Sequence, residues 1–163
     1  MLSWSEFRAA APESAALFEK RLDATGMALM ATTRSDGFPR ISPLEPAVLG
    51  DRLCLGMMPS STKSKDLRRD PRCCIHSATE DKDVAAGDAK LFGRCVEVVD
   101  EPDRHAYAVA LKAHSGVDVE AMGDYDLWVL DVTGASGLAL GGPDHLRITV
   151  WKEGHPERAI AKY

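Results

Sequence analysis

The stretch ATTRSDGFPRISP, residues 31–43, carries the signals that decide the fold. The Asp-Gly pair at 36–37 favours the tight turn of a β-hairpin. The apolar run before it, residues 27–33, has the length of a strand. Because proline cannot donate a hydrogen bond to a neighbouring strand, Pro39 and Pro43 place the second strand at a sheet edge or at a bulge. The stretch therefore predicts an antiparallel sheet with a proline-rich edge.

The same alternation of strands and turns continues along the chain. Residues 38–48 contain three prolines and are predicted to form one irregular strand. A Gly-Asp turn at 50–51 leads into a strand over 52–58, and Gly93 predicts a bulge or bend in a strand over 89–99. Further strands are predicted over 72–78, 125–133 and 145–152, with a polar loop over 79–88 and a tight glycine-rich connection over 134–142. Many short antiparallel strands with few helices predict a mainly β domain, a small barrel or a sandwich.

An N-terminal helix is predicted over residues 3–24. Ser3 and Glu6 have the spacing of a capping box, in which the two side chains satisfy each other's backbone N–H groups. Pro12 interrupts the helical pattern, so we expect the helix to be weakened or split there. Gly26 is expected to end it.

The composition is typical of a soluble globular protein, with 45% hydrophobic and 28% charged residues over a length of 163. That length fits one domain with its own core, or a subunit that shares a core with a second copy. The net charge of −5 and the pI of about 5.5 argue against nucleic acid or an anionic membrane as the main partner. No apolar run is long enough to span a bilayer, and residues 1–22 lack the apolar centre of a secretory signal.

The cysteines and histidines form no metal-binding or hydrolase motif. The sequence contains no C-x-x-C and no G-x-S-x-G, and the histidines lack metal-ligand spacing. We expect buried reduced thiols rather than redox-active ones, which places the chain in the cytoplasm. Haem ligation by one histidine stays open. The residues concerned are Cys54, Cys73, Cys74, Cys95, His76, His105, His114, His145 and His155.

A basic run, MMPSSTKSKDLRRDPR over residues 57–72, raises an electrostatic question. It predicts a short helix capped by Ser61 or Thr62 and ended by Pro71, and a longer helix is predicted over 101–115. A cation at a helix N-terminus is unfavourable by roughly 0.3–1 kcal/mol, because the backbone dipole is already positive there. Yet the run contains the cations Lys63, Lys65, Arg68, Arg69 and Arg72, and the two lysines come first.

A bound anion would offset the cost of those two lysines. Phosphate at a helix N-terminus accepts hydrogen bonds from free backbone N–H groups and is favoured by the dipole. Lys63 falls on the same helix face as Leu67, which predicts that it points toward the barrel. The alternative is a solvated basic face neutralised by Asp66 and Asp70.

Taken together, residues 27–78 resemble the pyridoxamine 5′-phosphate oxidase-like family of FMN-binding split β-barrels. The hairpin ATTRSDGFPRISP and the segment S-T-K-x-x-x-L-x-x-D-P at 61–71 carry the resemblance, and later strands at 87–100 and 146–154 are similar to those of the same fold. The similarity extends over roughly residues 25–152. It implies a mainly β fold, a Greek-key antiparallel split β-barrel with a few flanking helices, formed by a single domain over 1–163.

The resemblance also implies a set of cofactor-binding residues. The flavin phosphate would be held by Arg40, Ser61, Thr62 and Lys63, with Lys65 as a further cation. The isoalloxazine ring would lie along Ile41, Ser42 and Pro43, with Gly56 and Met57 alongside. A second subunit would contribute late strands near Asp88 to Phe92 and Trp151. Two positions depart from the family, since Thr62 stands where arginine is common and Glu45 where a lysine occurs.

The function implied is that of an oxidoreductase that binds FMN at the interface of a homodimer and acts on an unidentified small molecule. One alternative is a reductase that uses the deazaflavin F420 on the same fold. Another is a flavin- or haem-binding module without turnover. The C-terminal residues 151–163 do not reproduce the basic segment that holds the substrate phosphate in true pyridoxamine 5′-phosphate oxidases, so vitamin B6 is not assigned as substrate.

Overall fold

A computed structural model describes residues 1–80 and 82–163 of the chain. Within these residues there are four helices and nine strands, so the fold is mainly β, as predicted. The helices are α1 (Trp4–Ala10), α2 (Pro12–Thr25), α3 (Thr62–Arg69) and α4 (Glu101–Ser115). The strands are β1 (Ala28–Thr33), β2 (Pro39–Leu44), β3 (Pro46–Leu49), β4 (Arg52–Met57), β5 (Arg72–Ser77), β6 (Asp88–Glu97), β7 (Asp126–Leu140), β8 (Leu146–Lys152) and β9 (Arg158–Lys162).

The N-terminal helices follow the predicted pattern. Ser3 and Glu6 form the capping box at the start of α1. The predicted break at Pro12 is confirmed, because Pro12 is the first residue of α2 and its missing N–H is not needed there. Gly26, with a φ of 66°, ends α2 in the left-handed conformation.

All strands pair antiparallel in one open sheet, in the order β2-β1-β5-β6-β7-β4-β3, and β8 and β9 extend it from the second half of β7. The irregular strand predicted over 38–48 is interrupted at Glu45. Before Glu45 the chain pairs with β1, and after it with β4. The segment therefore joins the two ends of the sheet, and one edge of β2 pairs with no described strand. This is the split of a split β-barrel, and it confirms the predicted proline-rich edge.

The long strand β7 corrects one prediction. A strand over 125–133 followed by a tight connection over 134–142 was expected, but β7 continues to Leu140. The strand continues because the register with β6 shifts between Phe92 and Gly93, which is the predicted bulge. A Cβ on Gly93 would lie 2.0 Å from the backbone oxygen of Asp131. Gly137 likewise reflects close strand packing, since a Cβ there would lie 2.6 Å from Thr149 Oγ1, whereas Gly141 and Gly142 lie in the connection to β8.

Two further differences concern loops and the C-terminus. The polar loop predicted over 79–88 includes residue 81, which lies outside the described residues; β6 begins at Asp88. Strand β9 was not predicted, because all five of its residues are exposed and no apolar alternation marks it. Its pairing with β8 comes from tertiary contact alone.

The core lies on the inner face of the sheet, which α1 and α2 cover. Aromatic rings from both helices meet there, with Trp4 against Phe7 and Phe18, and Phe7 against Trp151. A second, smaller cluster forms where α4 covers the outer face near β4, with Tyr107 against other buried residues. No helix in the described part of the chain is long and apolar enough to cross a membrane.

A row of apolar side chains on the outer face remains uncovered. Strand register places Ile41, Ala31, Cys74 and Phe92 side by side across β2, β1, β5 and β6. Ile41 is 70% exposed and Phe92 41%. We call these four residues the outer apolar row.

Candidate functional site

The N-terminus of α3 is fixed by hydrogen bonds from the loop before it. Ser61, rather than Thr62, is the cap: its hydroxyl accepts a hydrogen bond from the backbone N–H of Ser64. Ser60 has a φ of 56°, and its backbone N–H donates to Asp126 Oδ2 at 2.8 Å. The first turn contains no acidic residue. The first turn of α3 is therefore fixed in position, and its own residues supply no carboxylate to neutralise its N–H groups.

The cations of the basic run fall into two groups. The three arginines all have carboxylate partners: Arg68 pairs with Glu97 and Asp126, Arg69 with Asp66, and Arg72 with Asp70. The two lysines have no ion-pair partner within residues 1–80 and 82–163. The alternative, a basic face neutralised by Asp66 and Asp70, is therefore met for Arg69 and Arg72, but those two carboxylates leave the lysines unpaired.

Lys63 and Lys65 occupy different environments. Lys65 is exposed. Lys63 is half-buried, and its Nζ donates to the backbone oxygen of Pro43 on β2 at 2.7 Å. Burial lowers the pKa of Lys63, because the charged form loses hydration. The inward direction predicted for Lys63 is confirmed, and the side chain spans from α3 to the unpaired edge of β2.

A buried carboxylate joins these elements. Asp66 is 3% exposed, and its Oδ2 accepts hydrogen bonds from Arg40 Nε at 2.6 Å and Thr32 Oγ1 at 2.9 Å. Its Oδ1 accepts from Arg69 at 3.1 Å. Burial raises the pKa of Asp66, but the hydrogen bonds from Arg40, Arg69 and Thr32 outweigh it, so the pKa lies below its ordinary value. Sequence reasoning did not identify this carboxylate as the centre of the network.

The residues predicted on β2 divide between its two faces. Arg40 and Ser42 pair with Thr32 and Met30, whose side chains are buried, so they face the inside of the barrel and α3. Ile41 and Pro43 face outward and are exposed. Since strand backbone groups alternate in direction, the N–H and C=O of Ile41 are expected to point to the same unpaired edge as the Pro43 carbonyl.

Ser42 carries an unsatisfied polar atom. Its Oγ is buried and has no hydrogen-bond partner in the described part of the chain. A buried hydroxyl without a partner costs free energy, so each such group calls for an explanation. Lys63, which also lacks an anionic partner, reaches the adjacent residue, Pro43. Of the two, Lys63 reaches the edge of β2 and fits a ligand that brings acceptor oxygens, whereas Ser42 Oγ faces the inside of the barrel.

Gly56 and Met57 have packing roles in the structure. A Cβ on Gly56 would lie 2.5 Å from Tyr107 Oη on α4, so the absence of a side chain lets α4 pack against β4. Met57 is buried, and its Sδ accepts a hydrogen bond from the hydroxyl of Ser64 at 3.5 Å. Trp128 Nε1 donates to that same hydroxyl, so Ser64 links α3 to β4 and β7.

Asp88 and Trp151 lie on strands away from α3. Asp88 is buried on β6 and forms an ion pair with Lys90 at 3.1 Å. Trp151 on β8 is 3% exposed and packs against Phe7 with a ring-centroid distance of 5.4 Å. The structure thus places the Trp151 ring in the core, against α1. Among the described residues no cluster of three or more His, Cys, Asp or Glu side chains could hold a metal.

The Gly56 contact leads to a prediction about packing. Gly56→Ala is expected to lower the free energy of unfolding by about 1–3 kcal/mol, because the new methyl group overlaps Tyr107 Oη. Tyr107→Phe removes that oxygen and leaves Cζ as the nearest Tyr107 atom, at 3.5 Å. The double variant should therefore recover most of the loss in urea unfolding. Additive effects of the two substitutions would show that this contact does not explain the glycine.

Asp66 generates a prediction about pH. Asp66→Asn should lower stability at neutral pH by about 1.5–3 kcal/mol, because a buried charged acceptor is lost. A lowered carboxylate pKa contributes stability above the unfolded value of about 3.9 and loses it as the pH falls through the folded value. The stability difference between wild type and variant should therefore shrink as the pH drops below about 4.

Asp36→Asn is the matched control, since Asp36 is an exposed turn aspartate and Asn-Gly favours the same turn. It should change little at any pH. A difference between Asp66→Asn and wild type that persists unchanged at low pH would contradict the role given to the Asp66 charge.

No family model and no curated protein matches this sequence. Solved structures do match. An FMN-binding protein related to pyridoxamine 5′-phosphate oxidase, from Nostoc punctiforme, is 14% identical, with 93% of this chain and 95% of that chain covered and a TM-score of 0.66. PhzG from Burkholderia lata, in complex with tetrahydrophenazine-1-carboxylic acid, is 14% identical, with coverages of 94% and 92% and a TM-score of 0.63.

A haem-binding protein from Mycobacterium smegmatis is 23% identical with a TM-score of 0.62; the match covers 84% of this chain but spans only 57% of that protein's length. At these identities the likeness concerns the fold. The order of strands, the open sheet and these neighbours agree, and the chain has the split β-barrel fold of the pyridoxamine 5′-phosphate oxidase-like proteins.

Proposed function

We propose that this protein binds FMN between α3 and the edge strand β2, at the interface of two copies of the chain, and acts as an oxidoreductase on a small molecule. The observation that carries the proposal is Lys63, a half-buried cation beside a helix N-terminus with no carboxylate partner in the described residues. Two structural neighbours, an FMN-binding protein and PhzG in complex with tetrahydrophenazine-1-carboxylic acid, support it.

The charge distribution around α3 supports a phosphate ligand. The three arginines of the basic run are already paired, so the unpaired positive charge lies in the first turn, on Lys63 and Lys65. The helix dipole makes cations unfavourable there, by roughly 0.3–1 kcal/mol each. A bound phosphate would make the positive end of the helix dipole and the lysine charges favourable, since backbone N–H groups and lysines would then contact one dianion.

Each residue of the site has a defined task in this proposal. Lys63, Ser61 and Thr62 hold the phosphate, and Arg40 keeps β2 against α3 through Asp66. The unpaired backbone edge at Ile41 orients the ring. FMN, when bound, supplies hydride or electron transfer, so the chain itself needs no acid–base dyad.

The outer apolar row supports the dimer. Its four residues form a continuous strip on a β-sheet, with Ile41 and Phe92 exposed and Ala31 and Cys74 half-buried, and exposed apolar patches mark contact surfaces. The strip begins at Ile41, the residue whose backbone faces the unpaired edge of β2. A second copy packed on the row would therefore cover the strip and enclose the cofactor from the side that α3 leaves open.

A haem-binding module is the second candidate. The haem-binding neighbour from Mycobacterium smegmatis favours it, as does the position of His76. His76 is paired with Leu29 across β5 and β1, so its half-buried side chain lies on the outer face beside the apolar row.

F420, which also carries phosphate, would use the same first turn of α3.

Absorbance spectroscopy distinguishes these cofactors. The purified protein is mixed separately with FMN, F420 and haemin, and excess cofactor is removed. We expect one FMN per chain with a perturbed flavin spectrum, and reduction of the bound flavin by a nicotinamide or chemical donor. Retention of F420 alone, or a Soret band with no flavin uptake, would replace FMN by that cofactor.

Substituting Lys63 tests the phosphate site. Lys63→Ala should weaken FMN binding about tenfold or more, because a charge-assisted contact contributes roughly 1.5–3 kcal/mol. Lys65→Ala is the matched comparison, since it removes the same charge from an exposed position in the same turn and should cause a smaller loss. Fluorescence titration measures both dissociation constants. Equal losses of FMN affinity in the two variants would show that the basic run acts only through its overall charge and that Lys63 makes no specific contact.

Substituting Ile41 tests the dimer. Ile41→Arg places a charge in the outer apolar row and should shift sedimentation from dimer to monomer, with loss of FMN affinity. Val109→Arg is the control, because Val109 is 55% exposed but lies on α4, outside the row.

Saturating FMN should stabilise the wild-type dimer by about 2.7 kcal/mol at a hundredfold excess over the dissociation constant. Tight stoichiometric binding by a monomer would contradict the shared site.

A further inference from the structure

Two cysteines on neighbouring strands lie in direct contact. Cys73 on β5 and Cys95 on β6 have their sulfur atoms 3.4 Å apart. Cys73 is paired with Gly93, and the backbone N–H of Cys95 donates to the Pro71 oxygen at 2.8 Å, so the two cysteines are diagonal neighbours on one face of a ladder. Both side chains face the core side of the sheet.

The other two cysteines are placed differently. Cys74, next to Cys73, points to the opposite face of β5, in the outer apolar row. Cys54 is buried on β4, where its Sγ lies 3.8 Å from the Leu49 oxygen. All four cysteines are free thiols in the structure. The contact of Cys73 with Cys95 therefore singles out one pair among them.

The two members of the pair differ in exposure. Cys95 is 4% exposed, and Cys73 is half-buried. The hydrogen bond with Cys73 and burial both raise the pKa of Cys95, so this thiol stays protonated at neutral pH. Cys73 is therefore the member that a small oxidant reaches first. The expectation of uniformly buried thiols holds for Cys54 and Cys95 but not for Cys73 and Cys74.

We propose that Cys73 and Cys95 form a reversible intramolecular disulfide when the protein meets a hydroperoxide. The Cys73 sulfur attacks the peroxide, the O–O bond breaks, and a sulfenic acid forms on Cys73 with release of water or an alcohol. The Cys95 sulfur then displaces hydroxide from that sulfenic acid, its proton leaves with the hydroxide as water, and the S–S bond forms. Overall, two thiols lose two electrons and two protons to one peroxide.

Closing the bond requires little movement. A disulfide brings its sulfurs to about 2 Å, so the 3.4 Å contact between the two sulfur atoms must shorten by roughly 1.4 Å. The strands that carry the two cysteines are already paired from residue 72 to 76 and from 90 to 94. The new bond would lie on the core side of the strands whose outer sides carry Cys74 and Phe92. This inference does not depend on the proposed cofactor.

The wild-type protein is treated with a modest excess of hydrogen peroxide, which catalase then removes, and its thiols are titrated after unfolding. We expect the four thiols to fall to two, and dithiothreitol to restore them. Tryptic digestion without reductant should join peptide 73–82 to peptide 95–104, and the second of these contains Cys95 as its one cysteine. Fragmentation of the joined peptides then assigns the bond to residue 73 or 74.

Variants provide matched controls. Cys74→Ser should keep the joined peptides, whereas Cys73→Ser should lose them, although both replace a half-buried thiol on β5. Circular dichroism confirms that each variant is folded, and the fragment assignment in the wild type does not depend on either. Four thiols that persist after peroxide, a bond assigned to Cys74, or a covalent dimer would each overturn the proposal.

Discussion

The structure depends on one buried carboxylate. Asp66 receives hydrogen bonds from Thr32 on β1, Arg40 on β2 and Arg69 on α3, so a single side chain ties two strands to a helix. Removing one partner from such a network leaves a buried charge without compensation, which is why buried ionic clusters are intolerant of change. Because Arg40 is the link to β2, the same cluster sets how close the edge strand lies to the helix. The distance that Lys63 spans follows from it.

The proposed cofactor site therefore rests on residues that do not touch the ligand. Ser64 accepts from Trp128 and donates to Met57, Arg68 is held by Glu97 and Asp126, and each contact fixes another side of α3. A preorganised helix N-terminus binds an anion without first paying to order itself. Lys63, whose charge has no carboxylate partner among the described residues, stands apart from these structural contacts, and this separation of roles is what supports its proposed role as a ligand contact.

Much of the fold could be predicted because its signals are local. The Asp-Gly turn at 36–37, the break at Pro12 and the cap at Ser61 depend on backbone chemistry within a few residues. The continuation of β7 past residue 133 could not, since it requires the bulge opposite Gly93 on another strand. The same holds at the site. The basic run and its inward lysine were visible, but the three donors that converge on Asp66 are 26 to 34 residues away or on the far turn of its helix.

The interruption at Glu45 has a geometric consequence for the barrel as a whole. Leu44 ends β2 and Pro46 begins β3, so two bonds of the Cα trace, at most about 7 Å, connect strands that belong to opposite ends of the sheet. That short span acts as a clasp. β2 and β3 can separate along their lengths but not at Glu45, where the chain connects them. Any gap between the two strands therefore narrows toward Glu45. A strap of several residues at this position would leave the same strands paired and yet allow the barrel to unroll.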